Sequence, residues 1–158
     1  MRRVGLFLVV TAMLLTLTAG IALALDIEGT SGPDRLFGTP QQDEIDAKGG
    51  KDRAIGRDGR DHILGGNGND LLKGNPGRDR ISGGTGADTM YGGPDEDAFN
   101  GGAGNDIIVA SDDGNTPDQI QCGSGNDTVY ASGKDHASLL VNRSQCENII
   151  SFNGTPQL

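Results

Sequence analysis

An apolar side chain returns every ninth residue along most of this chain, at Leu36, Ile45, Ala54, Ile63, Leu72, Ile81, Met90, Phe99 and Ile108. A period that short makes each repeat a half-turn of backbone that cannot bury a face alone, so the repeats must stack as a solenoid. Each of these residues is read as the one inward side chain of a short strand, at the eighth position of a nine-residue unit. Ile27 lies nine residues before Leu36, so the column begins earlier still. An aspartate occupies the sixth position throughout, at Asp34, Asp43, Asp52, Asp61, Asp70, Asp79, Asp88, Asp97 and Asp106. Glycine opens each unit from Gly29 to Gly101, with Ala47 the exception. The ladder breaks once, where twelve residues separate Asp106 from Asp118; Asp127 then restores the step, and Ile120 and Val129 continue the apolar column. The three inserted residues fall in 110–117, a turn-rich stretch where a bulging loop costs little. Asp112 and Asp113 in it are read as solvated turn residues, the alternative being that one of them binds an extra ion.

Units such as Gly65-Gly66-Asn67-Gly68-Asn69-Asp70, Gly83-Gly84-Thr85-Gly86-Ala87-Asp88 and Gly101-Gly102-Ala103-Gly104-Asn105-Asp106 are each followed by an apolar residue two positions on. Glycines let two backbones approach closely and permit positive φ, so a six-residue turn can aim several carbonyl oxygens at one point, and the aspartate adds charge. This pattern resembles the RTX (repeats-in-toxin, hemolysin-type) nonapeptide GGxGxDxUx, a calcium-binding repeat. The resemblance covers residues 29 to about 130. It implies a parallel β-roll in which positions seven to nine form a strand and Ca2+ sits between turns two repeats apart. It also implies ligands from Asp52, Asp70, Asp88, Asp106 and Asp127, with Gly65, Asn67, Gly83, Thr85, Gly101 and Ala103 around them, and further aspartates at Asp34, Asp61, Asp79 and Asp97. Calcium takes six to eight oxygens, which carbonyls and carboxylates from two stacked turns can supply; few carboxylates per ion predicts affinities on the order of 10⁻⁴ to 10⁻³ M. A metal-free glycine-rich solenoid is disfavoured because it would leave the aspartate column without a purpose.

One full turn is two repeats, so the turns stack in two rows. Asp34, Asp52, Asp70, Asp88, Asp106 and Asp127 lie in one, and Asp43, Asp61, Asp79, Asp97 and Asp118 in the other. Every full Gly-Gly-x-Gly-x-Asp unit falls in the first row, whereas the second has Arg60 and Arg78 beside their aspartates and Asp95 at a glycine position. Ions are therefore expected mainly in the first row. Arg60 and Arg78 are read either as neutralising their neighbouring carboxylates or as solvated.

Composition agrees with this architecture. A chain with 27 glycines and no tryptophan cannot build a conventional core, and an inorganic staple is expected. The net charge of −9 repels nucleic acid and attracts cations. Met1-Arg2-Arg3 precedes an uncharged apolar stretch, and Ala22-Leu23-Ala24 offers small residues for a signal peptidase. Residues 1–24 are read as a cleaved signal peptide, 25–131 as the β-roll and 132–158 as a capping segment, which makes the protein secreted without a membrane span; the alternative is an uncleaved anchor. Cys122 and Cys146 are the only cysteines and in an exported protein read first as a disulfide tying down the tail, the alternative being two free thiols.

Catalytic signals are thin. There is no His-Glu-x-x-His, and the only histidines are His62 and His136; His62, at an outward seventh position, is read as solvated, and so is His136. No nucleophile elbow or phosphate loop is present, since the glycines belong to repeat turns. The N-terminal export signal departs from the best-known RTX toxins and proteases, which leave by a dedicated transporter. The reading is calcium binding without catalysis. The alternatives are an accessory module of a secreted enzyme, or an adhesive surface, which would need a uniform outward column; the seventh positions, running from Arg35 through Glu44, Arg53 and His62 to Ile107, are too mixed for that.

Overall fold

The computed structural model describes residues 24–110, 116–132 and 146–152, so His136, Asp112, Asp113 and the proposed signal peptide up to residue 23 lie outside the described residues. Among the described residues there are thirteen strands: β1 (Asp26–Glu28), β2 (Arg35–Phe37), β3 (Glu44–Asp46), β4 (Arg53–Ile55), β5 (His62–Asn67), β6 (Leu71–Lys73), β7 (Arg80–Thr85), β8 (Thr89–Tyr91), β9 (Ala98–Ala103), β10 (Ile107–Ala110), β11 (Gln119–Ser124), β12 (Thr128–Ser132) and β13 (Asn148–Phe152). Among the described residues there is no helix. Strands alternate between two parallel sheets. Sheet A runs β1-β3-β5-β7-β9-β11 and sheet B runs β2-β4-β6-β8-β10-β12-β13. The chain is thus the expected all-β parallel β-roll.

The register follows from the repeat. Ile45 pairs with Ile63, Ile63 with Ile81 and Ile81 with Phe99, each one full turn apart. Across the insertion Phe99 pairs with Ile120 and Ile108 with Val129, so the stack continues in register. In β3, β4 and β6 only the middle residue is fully inward and buried, which leaves a core one side chain thick on each side. Ile45, Ile63, Leu72, Met90, Ile108 and Val129 are completely buried in it, and Leu36, near its N-terminal end, is partly buried. One such side chain contributes about 1.5–3 kcal/mol, less than ordering nine residues costs. The turns must supply further stabilisation.

β13 lies in the segment read as a cap and forms the last rung of sheet B, pairing Val129 with Ile149. The Cys122–Cys146 disulfide is formed, with a Cα–Cα separation of 5.3 Å, and fastens this rung to the preceding turn.

Candidate metal centre

The turns carry the polar chemistry, and each aspartate does two separate things there. Its Oδ1 accepts the backbone N–H of the aspartate one turn earlier. Asp34 donates to Asp52 (2.7 Å), Asp52 to Asp70 (2.8 Å), Asp70 to Asp88 (2.8 Å), Asp88 to Asp106 (2.9 Å) and Asp106 to Asp127 (2.8 Å). The second row repeats this from Asp43 through Asp61, Asp79 and Asp97 to Asp118. The aspartate column therefore has a hydrogen-bonding purpose of its own and, contrary to the expectation from sequence, would not be idle without metal. A buried backbone N–H must be paired, and this ladder pairs one per turn.

The other oxygen has no such partner. Oδ2 of Asp52, Asp61, Asp70, Asp79, Asp88, Asp106 and Asp127 is buried without a hydrogen-bond donor. Burial pushes the Asp79 carboxyl up to about 7 and those of Asp61 and Asp88 up to about 6; the N–H bond from the neighbouring turn opposes the rise and like charges along the row add to it. Asp52, Asp70, Asp106 and Asp127 are raised for the same first reason. A carboxylate in this position needs a proton or a cation.

The first-position glycines show what else faces those oxygens. At Gly83, the carbonyl of Gly101 and Oδ2 of Asp88 converge on the space that a side chain would fill, 2.6 and 2.5 Å from where a Cβ would stand. Gly65 brings together the carbonyl of Gly83 and Oδ2 of Asp70, and Gly101 the carbonyl of Cys122 and Oδ2 of Asp106. Glycine is required here for room. The third-position carbonyls of Asn67, Thr85 and Ala103 accept N–H groups of Gly50, Gly68 and Gly86 at 2.8 Å, each keeping a second lone pair. Among the described residues no three acidic, histidine or cysteine side chains cluster. A cation here would take one or two carboxylates and otherwise carbonyls, a donor set of hard oxygens that suits Ca2+.

Three predicted features are placed differently from one another. Asp34 does not share the unpartnered arrangement: its Oδ2 accepts the N–H of Thr30 (2.6 Å) and the Thr30 hydroxyl (2.8 Å). Thr39 does the same for Asp43, with N–H and hydroxyl both donating to its carboxylate. Arg60 and Arg78 are exposed, and Arg78 lies 3.5 Å from Glu96; the Oδ2 atoms of Asp61 and Asp79 have no guanidinium partner. The two rows share the ladder, and Gly56 and Gly74 pair carboxylate and carbonyl in the second row as well. They differ in backbone: the first-row turns at Asp70, Asp88, Asp106 and Asp127 continue six-residue strands, while Arg57, Asn75 and Asp95, three of the four non-glycine residues at positive φ, sit in the second. His62 is exposed, 3.9 Å from Glu44.

One member of the ladder went unrecognised in the sequence. Oε2 of Glu147 accepts the Asp127 N–H at 2.9 Å, standing where the next first-row aspartate would. The signal was present: Glu147-Asn148-Ile149 repeats the spacing of Asp127-Thr128-Val129.

The model of the RTX calcium-binding nonapeptide repeat (4 copies) matches residues 26–53, 38–72, 46–79, 73–108 and 112–135. The chain belongs to this RTX repeat family. No curated protein and no solved structure matches it. The RTX β-roll is a structural calcium-binding repeat rather than a catalytic fold, and among the described residues no helix is long and apolar enough to cross a membrane.

Proposed function

We propose that this is an exported calcium-binding β-roll protein in which Ca2+ bound between stacked turns drives folding. The observation that carries the reading is the row of buried, unpartnered Oδ2 atoms, those of Asp61, Asp70, Asp79, Asp88 and Asp106 each converging with a carbonyl of the next turn. When bound, calcium supplies positive charge and an oxygen-hungry coordination shell at those atoms. Asp52, Asp70, Asp88, Asp106 and Asp127 are the carboxylates proposed to hold it, with Asp61, Asp79 and Asp97 secondary and the carbonyls of Gly65, Asn67, Gly83, Thr85, Gly101 and Ala103 completing the donor set. Without a cation, like charges one turn apart repel and glycine-rich turns lose much entropy on ordering. Metal binding and folding are then one event.

Export rests on the apolar stretch after Arg2 and Arg3 and on cleavage after Ala24; the formed disulfide suits an oxidising compartment. Isothermal titration with CaCl2, alongside N-terminal sequencing of protein recovered from culture medium, tests both parts. Saturable calcium uptake and a mature chain starting at Leu25 are expected. No heat of binding would remove the first part, and an intact Met1 on cell-associated protein the second.

A further inference from the structure

The seventh and ninth positions of the repeat face outward, apart from the buried Val109, and because alternate half-turns lie in opposite sheets, these columns must be divided by sheet. The division separates two unlike surfaces. The outward residues of sheet A include Asp26, Glu28, Glu44 and Asp46. Among the described residues, those of sheet B, taken along β2, β4, β6, β8, β10, β12 and β13, include no acid, in a chain with 22 acidic residues. They present instead Arg35, Arg53 and Lys73 at one end and large apolar groups along the length. Phe37 is 49 % exposed, Ile107 40 % and Ile150 45 %. Lys73 lies over the Tyr91 ring at 4.5 Å, an arrangement in which an apolar body and a charged tip share one surface.

We propose that the outer face of sheet B docks on an anionic lipid surface. Seven strands spaced about 4.8 Å apart and three residues wide give a flat strip of roughly 300 Å². A stable protein–protein interface needs about 800 Å² on each side, so the strip is too small to hold a second copy. A bilayer needs no shape complementarity, and it accepts exposed aliphatic and aromatic groups at the headgroup boundary while attracting basic residues to anionic headgroups. Aliphatic groups such as Ile107 and Ile150 offer little to a polysaccharide. The acids of sheet A lie on the opposite face of the sandwich, about 10 Å further from the bilayer, where their repulsion is weaker than the attraction of the cations at the contact. The inference goes beyond calcium binding but rests on the calcium-loaded roll being folded.

Flotation of the calcium-loaded protein with vesicles of phosphatidylcholine containing phosphatidylserine, compared with phosphatidylcholine alone, tests it. The protein should float with the anionic vesicles only. The double variant R35Q/R53Q should partition roughly thirtyfold more weakly, the equivalent of about 1 kcal/mol per cation near the surface, and F37S/I107S should also lose binding severalfold. R80Q, on sheet A, should bind as the parent does. Circular dichroism of each sample in calcium separates the two readings. A chain that stays unfolded in calcium defeats the proposed function, whereas a folded chain that fails to float, or floats equally well as R35Q/R53Q, overturns the docking face. Capture on acidic polysaccharide beads without flotation, or concentration-dependent oligomers abolished by F37S/I107S, would assign the face to another occupant and equally overturn it.

Discussion

The first two turns of the roll and the turns that follow solve the same electrostatic problem differently. At Asp34 and Asp43 a threonine in the second position, Thr30 or Thr39, donates both its N–H and its hydroxyl to the carboxylate. From Asp52 to Asp88 the second position is Lys48, Arg57, Gly66, Asn75 or Gly84, and Oδ2 is left buried without a donor. The fold is the same in both regions. The difference teaches that the ladder through Oδ1 builds the solenoid, while the state of Oδ2 decides whether a turn needs a cation. On this account the N-terminal half-turns are closed by protein groups and the central ones are closed by calcium.

The largest expected effect lies at the other end of the stack, where a covalent bond does the closing. Reducing Cys122–Cys146 should lower the melting temperature of the calcium-loaded protein, by the equivalent of roughly 3 kcal/mol in the loop-entropy treatment. An unchanged melting curve after confirmed reduction would mean that β13 is held by its pairing with β12 alone. The contrast between the two kinds of turn comes next. Asp88→Ala should raise the calcium midpoint of folding roughly tenfold, about 1.4 kcal/mol per ion taken up, and remove a bound ion, whereas Asp34→Ala, which removes hydrogen bonds but no proposed ion site, should raise the midpoint clearly less and leave the number of bound ions unchanged. Equal midpoint shifts would erase the distinction. Asp79→Ala should fall between them, and a shift matching that of Asp88→Ala would show that the second row binds as well as the first.

Acid should substitute for calcium in the central turns. Because burial raises Asp79 to about 7 and Asp61 and Asp88 to about 6 from an unfolded value near 3.8, the folded metal-free chain binds more protons than the unfolded one between those limits. Its stability therefore rises as pH falls through 7 and 6 and levels off near the unfolded value. Metal-free protein should show more β structure by circular dichroism at pH about 5 than at pH about 8; the reverse order would contradict the assigned burial. The smallest effect is expected from Thr39→Val, which removes one hydroxyl donor to Asp43 and should cost about 1 kcal/mol at any calcium concentration. No loss of stability on thermal melting would show that the Thr39 N–H suffices.

Much of this arrangement was legible in the sequence because the period is strict. The inward column from Ile45 to Val129, the two rows of aspartates and the insertion before Asp118 all follow from counting in nines. What escaped was chemistry that the count treats as noise. Thr30 and Thr39 fill a position where other units carry glycine, lysine, arginine or asparagine, and their meaning depends on which carboxylate oxygen is left over after stacking. Glu147 broke the nine-residue step and the aspartate rule together. The mixed seventh column became two coherent faces only after alternate repeats were assigned to opposite sheets. For Glu147 the missing information was the neighbour one full turn away.

The central claim is that calcium and folding are one event, and far-ultraviolet circular dichroism of the intact, disulfide-bonded protein tests it most directly. At neutral pH the chelated protein should be largely disordered, with at most weak residual structure at its N-terminal turns, and should recover the β spectrum as calcium rises through about 10⁻⁴ to 10⁻³ M. A β spectrum that persists unchanged after chelation would show that the Oδ1 ladder and the apolar column fold the roll unaided, and would contradict the account.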